Sequence, residues 1–417
     1  MTKRKYEETH QWLTFSGDAM QRAKPELWMM LGECQSKCEH LSKYPLRPDV
    51  AENIHRMYMA KGVLATTAIE GNTLSEKEVR KLLDGELELP PSREYLAQEV
   101  QNIVDECNRI LTTASARKEV ALTTKRIQEI NKTVLAKLQL EAHVQPGVIR
   151  NYEVGVGLYK AAPPDECEML LDKMCQWLGD PKYFGTDSDP RVMVYGIIKA
   201  ILAHLYLAWI HPFGDGNGRT ARLIEFQILI AARVPSPAAH LLSNHYYRTR
   251  SDYYKQLHLA SVAGGDVLPF ITYAVQGFLD GLREQIEEVK KQVIDVVWSK
   301  YVAERFTDKT SPANQRRHAL VEELSKLIEP RAVSYEQIPI ITPRATKLYS
   351  KLSPRTLVRD LNQLYKMRLI QFENGLVRAR KEVINAFLPV QAQVPAAQPP
   401  RRTKGKSNRK AADLSAV

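Results

Sequence analysis

Cysteine is scarce and odd in number, with five in 417 residues: Cys34, Cys38, Cys107, Cys167 and Cys175. Such a set builds no disulfide framework and points to a reducing compartment. Cys34 and Cys38 lie four apart on an expected helix, with no Cys or His pair to complete a zinc site, so they read as structural thiols. The N-terminal basic residues have no apolar stretch behind them, so no signal peptide is read. Only Val194–Phe213 approaches membrane-spanning length, and Lys199, His204 and His211 interrupt it. It reads as the buried central helix of a bundle in a soluble, cytoplasmic protein. No internal repeat of fixed period is present.

What is there is an ordinary globular composition, 44% hydrophobic and 26% charged, which excludes wholesale disorder. The length suggests two or three domains. The chain is basic, with 59 Lys and Arg against 48 Asp and Glu and a formal charge of +11. That surplus is local. Residues 311–389 hold 14 basic and 7 acidic residues, and 390–417 hold 6 and 1, so the first 310 residues sum to −1. A positive balance confined to one end informs targeting more than chemistry.

Helical patterning dominates. Expected helices span about Asp18–Lys43, Asp49–Ile69, a segment capped by the Ser75/Glu78 box, one capped by Ser92, and one opened by Thr123 or Thr124. Tyr152–Tyr159 alternates with period two and reads as a small β-hairpin. Helical pattern resumes at Glu166 and continues to about Lys291. Residues 311–389 form a separate module. Helical segments at Arg317–Ile328 and Tyr335–Ile338 precede a helix opened by Ser353-Pro354, and Asn374-Gly375 joins two short strands. Three helices with a two-stranded wing resemble a winged helix-turn-helix. Residues 390–417, rich in Pro, Ala and Gln and then in Lys and Arg, read as a disordered tail.

The densest chemical signal is His211-Pro212-Phe213-Gly214-Asp215-Gly216-Asn217-Gly218-Arg219, with Arg222 three residues on. Three glycines in five positions let backbone N–H groups converge where the next helix begins, forming an anion cradle suited to phosphates. Asp215 offers a hard oxygen for Mg²⁺. Arg219 and Arg222 share a helical face and can grip phosphate oxygens, and His211 suits a general base. The loop is no calcium hand, because its twelfth position from Asp215 is Phe226, and no Walker loop, because it lacks Gly-Lys-Ser/Thr.

This segment resembles the HPFx[D/E]GNGR signature of the Fic family at every defined position. The resemblance implies a mainly α, Fic-type helical bundle with a hairpin flap, and transfer of AMP from ATP to a protein hydroxyl. It implies His211 as base, Asp215 holding Mg²⁺, and Gly216, Asn217 and Gly218 lining an anion hole. Arg219 and Arg222 would bind distal phosphates, and Phe213 would anchor the loop. Gly147–Arg150, the hairpin and Pro163-Pro164 resemble the flap that docks a target segment, here residues 152–160. Tyr246, Tyr253 and Tyr254 resemble the segment near the nucleotide base, with Tyr254 the site residue taken from it. His204 reads as a hydrogen-bonded core histidine. Thr66–Asn72 resembles the inhibitory [S/T]xxxE[G/N] motif, which pairs Glu70 with Arg222. The implied organisation is an N-terminal helical region (1–115) carrying the inhibitory helix, a Fic core (116–295), the module (311–389) and the tail (390–417).

Three activities stay open on these residues: a self-restrained adenylyltransferase, a hydrolase in which Glu70 aligns water to remove AMP, and a nucleotide-sensing DNA-binding regulator. The last would use Arg355, Arg359 and Lys366 on the module's third helix, and DNA or an acidic protein is the partner open to 311–417. Homodimerisation is open as well.

Overall fold

The structure is a computed structural model that describes residues 4–44, 46–116, 121–156, 159–186, 188–327 and 332–384. The chain divides into two compact units, Met1–Val289 and Lys290–Val417. The first is helical: α1 (Pro25–Ser42), α2 (Pro48–Ala68), α3 (Glu76–Leu83), α4 (Glu94–Ser115), α5 (Thr124–Val134), α6 (Cys167–Gly179), α7 (Val192–Ile210), α8 (Asn217–Ala231), α9 (Leu241–Arg248), α10 (Arg250–Val262) and the start of α11 (Leu268–Phe306), with some shorter turns. The only strands described in this unit are β1 (Gly155–Val156) and β2 (Tyr159–Lys160), antiparallel with Val156 opposite Tyr159.

Local chemistry accounts for several of the helix starts. Pro25 and Pro48 open α1 and α2 at positions where a missing N–H costs nothing. Ser75 and Glu78 form the expected capping box of α3, and Thr123 caps α5 by accepting from Arg126 N–H. Ser92 caps nothing, because Pro91 starts a 3₁₀ turn that runs through it and Arg93 stands at the helix entry instead. The expected helix from Asp18 is broken at Pro25, leaving a single turn at Asp18–Gln21 before α1.

The apolar stretch at 194–213 is the core of this unit. α7 is the one helix among the described residues long and apolar enough to cross a membrane, and it is mostly buried. It packs most extensively on α8, with α1 and α6 on its other sides, while α2, α4 and α5 close over α8. The segments 1–115 and 116–295 therefore do not separate. α2 and α4 complete the apolar cover of α8, so both lie in one unit.

The second unit holds α12 (Pro312–Ser325), β3 (Val333–Ser334), α13 (Pro343–Tyr349), α14 (Pro354–Lys366), β4 (Ile370–Glu373) and β5 (Leu376–Ala379). Its sheet has the order β3-β5-β4. Trp298, Val302 and Phe306 of α11 lie in its core with Leu320, Leu324, Leu357, Leu361 and Val377, so the module starts before residue 311. A turn and a short 3₁₀ segment stand where the sequence suggests a helix at 335–338, and α13 follows, opened by Thr342 and Pro343. The expected tail, 390–417, lies outside the described residues.

Candidate active site

α7 ends at His211, whose φ of 48° and ψ of 60° put it in the left-handed region, unusual for a residue other than glycine. That conformation turns the chain abruptly off the core helix. Arg150 holds the turn. Its Nε donates to the His211 carbonyl (2.7 Å), Nη1 to Tyr152 O (2.7 Å), and Nη2 to Ala162 O (2.6 Å) and Ile210 O (3.3 Å). Its own N–H donates to Pro212 O at 2.9 Å, and Ile149 bridges Phe213. One buried guanidinium thus joins the C-terminus of α7, the loop and the base of the flap.

The loop is self-bonded. Asn217 Oδ1 accepts from Phe213 N–H (3.0 Å) and its Nδ2 donates to Phe213 O (2.8 Å), while the Phe213 ring is buried. Gly216 has φ of 76° and precedes α8. A Cβ there would lie 3.0 Å from Asn131 Nδ2, so both backbone and space ask for glycine. Asn131 ties the loop to α5, donating to Asp215 O (3.0 Å) and accepting from Gly147 N–H (2.9 Å).

The charged groups form three ion pairs on two arginines. Arg219 Nη2 meets Asp215 Oδ1 at 3.1 Å and its Nη1 meets Glu99 Oε1 at 3.3 Å. Arg222 is fully buried, and its Nη2 donates to Thr66 O (2.9 Å) and Glu70 Oε1 (2.5 Å). Burial alone would raise the Glu70 pKa, but the Arg222 guanidinium outweighs it and the net shift is downward, so Glu70 is ionised. A Cβ on Gly218 would collide with Glu70 Oε1, so the carboxylate sits directly against the loop backbone. His211 is pushed down to about 4, chiefly by burial; a hydrogen bond at Ala208 and the charges of Glu70 and Asp215 only partly oppose it. At neutral pH the ring is uncharged and can accept a proton.

His204 is buried, with Nδ1 3.1 Å from Glu225 Oε2 and Nε2 2.8 Å from the Tyr253 hydroxyl; Tyr246 donates to Glu225 Oε1 at 2.9 Å. It belongs to a polar cluster in the core, as its sequence context suggests. Tyr254 stands apart from the loop's contacts, exposed on α10 with Arg250 over its ring and Tyr253 beside it. Sequence reasoning passes over Asn131, Arg150 as a staple, and Glu99. The first two act through backbone groups far away along the chain, which no spacing reveals. Glu99 looks like any solvated helix acid.

Residues 121–229, which include this loop, match the Fic/DOC family. The chain is 32% identical over 215 residues to the protein adenylyltransferase fic-1 of Caenorhabditis elegans, covering 51% of this chain and 38% of that protein. It is 28% identical over 261 residues to the protein adenylyltransferase Fic of Nematostella vectensis, covering 61% and 56%. The chain therefore spans less than two thirds of these curated relatives. A solved structure of Fic-1 from C. elegans matches with a TM-score of 0.52 at 27% identity, over 64% of this chain and 73% of that one. A solved Fic family protein from Desulfovibrio desulfuricans matches over 86% and 96%, with a TM-score of 0.51 at 19% identity, a likeness of fold.

Proposed function

We propose that this Fic protein is an adenylyltransferase that moves AMP from ATP to a hydroxyl side chain of a target protein and is restrained by Glu70. The observation that carries this reading is the pair of Glu70 with the buried Arg222 beside a neutral His211. The residues fit each requirement of the transfer. His211 takes the proton from the target hydroxyl as its oxygen bonds to the α-phosphorus, and the bond to the bridging oxygen breaks to release pyrophosphate. The N–H groups at the start of α8 and the Asn217-braced loop face the developing phosphate charge. Arg219 and Arg222 take the distal phosphates. The single carboxylate of Asp215, 48% exposed, suits Mg²⁺, which commonly binds through one or two carboxylates and the phosphates themselves. When bound, Mg²⁺ would neutralise phosphate charge. The hairpin at 152–160 would take the target segment by strand addition, with Tyr159 anchored through its hydroxyl to Trp209 O at 2.8 Å.

Arg222 serves one anion at a time. Glu70→Gly frees it, and labelling of the protein or of lysate proteins from α-labelled ATP should rise by about tenfold or more, equivalent to some 1.4 kcal/mol of restraint. His211→Ala should abolish it. No label with any variant would overturn the proposal. Removal of AMP by the same site is favoured by one feature, the 36% exposure of the Glu70 side chain, which could align a water. Loss of label from a pre-labelled protein with wild type but not with Glu70→Gly would assign that reaction.

A further inference from the structure

α14 is amphipathic in an uneven way. Leu357, Leu361 and Leu364 point into the second unit's core. The helix has one acidic residue, Asp360, and it is fully buried. Arg316 Nε reaches its Oδ2 at 2.7 Å, Arg317 Nε reaches Oδ1 at 2.8 Å, and the Tyr349 hydroxyl lies 3.2 Å away. Its charge is spent inside the fold and leaves none on the outer face.

That outer face carries Arg355, Arg359 and Lys366, all exposed, and among the described residues none of the three forms an ion pair. By contrast Arg344 is paired with Glu322, and Arg378 with Glu373 and Glu382. Three unpaired cations therefore share one face of a single helix, with no exposed acid on that helix. Between the cations stand Val358, 40% exposed, and the amides Asn362 and Gln363. Arg355, Val358, Arg359 and Asn362 follow the i, i+3, i+4, i+7 spacing of a single helical face.

We infer that this face of α14 docks on duplex DNA. A helix of this length extends about 20 Å, with a diameter of about 10–12 Å that enters a major groove about 12 Å wide. The side chains match the groove in kind. Arginines bind phosphate or the guanine edge, an amide can read adenine, and a small apolar side chain meets the thymine methyl. An acidic polypeptide would meet the same cations, and the polyglutamate arm of the test separates it from DNA. This surface is independent of the transfer site, so either reading can fail without the other.

The test uses the full chain and a fluorescein-labelled, mixed-sequence duplex, with anisotropy followed across a salt series. The expected result is salt-sensitive binding by wild type. In Arg355→Gln/Arg359→Gln the affinity should fall at least about tenfold, and the slope of log K against log salt should shrink by about 2, close to 0.9 for each phosphate no longer neutralised. Both side chains are exposed and unpaired, so an unchanged melting temperature is expected alongside; Arg359→Gln alone should show half the change in slope. Three outcomes overturn the inference: no salt-sensitive binding by the intact chain, an unchanged slope in the double variant, which would place the DNA on another surface, or equal competition by polyglutamate.

Discussion

Arg219 hangs between two carboxylates, and the more distant one connects it to the proposed restraint. Glu99 accepts from Asn72 Nδ2 at 2.8 Å through Oε2 and meets Arg219 through Oε1. Asn72 lies on the turn just past Glu70, so the segment that engages Arg222 is also tied through Glu99 to the other loop arginine. A carboxylate and a phosphate compete for the same donors. In a Glu70→Gly background, Glu99→Gln should therefore lower the KM for ATP about threefold, the scale of a partly exposed ion pair, with kcat little changed. A raised KM would mean that Glu99 instead holds Arg219 ready for ATP. The imidazole of His211 gives a second residue-scale expectation. With its pKa depressed from 6.5 to about 4, the ring stays unprotonated well below neutrality. The labelling rate of Glu70→Gly, which also loses the Glu70 charge that opposes the shift, should show no midpoint near 6.5 and should hold down to about pH 4 or below; a midpoint at 6.5 would contradict the buried geometry. The sign for stability follows from the same shift. The unfolded chain takes up this proton first, so His211 weakens the fold as pH drops from 6.5 toward 4.

At the scale of elements, the proposed restraint depends on where α2 lies. Gly62 is the point of close approach: a Cβ there would run into the His240 ring and come 2.6 Å from its Cβ, a stem that cannot swing aside. Gly62→Ala should cost about 1–3 kcal/mol by overpacking, lowering the melting temperature by several degrees. Because Glu70 follows two turns later, labelling should rise at the same time, and a labelling assay beside a thermal melt checks both. The helices that position the site are largely legible, since proline entries, the Ser75/Glu78 box and the apolar run of α7 are local signals. The spacing of charge and glycine from His211 to Arg222 likewise marks out the loop on which the proposed function rests. What holds that loop in place is not legible: Arg150 serves carbonyls at 152, 162, 210 and 211, and Asn131 braces a loop more than eighty residues away. Backbone carbonyls leave no mark on a sequence.

Across the whole molecule, the charge of +11 resolves into a nearly neutral first part and a basic second one, and the fold assigns each part its own core. The boundary falls earlier than residue 311 because α11 has the same helical pattern on both sides of residue 290, while the residues that commit its end to the second core, Trp298, Val302 and Phe306, are declared only by packing. Separate cores imply separable stability. Asp360 offers the lever, because it is fully buried and three partners converge on it. Asp360→Ala leaves Arg316 and Arg317 without their shared carboxylate, a loss of about 3–5 kcal/mol in that core. Trp298, the one tryptophan beyond residue 289, donates to Ser325 Oγ at 2.6 Å and reports on it directly. In urea, the fluorescence change that Trp298→Phe removes should move to lower denaturant in Asp360→Ala. DNA binding should weaken with it, because α14 is held by that core. Labelling by Glu70→Gly/Asp360→Ala should match Glu70→Gly alone, since no group between Glu70 and Arg222 depends on the second core; a parallel loss of labelling would show that the two parts unfold as one.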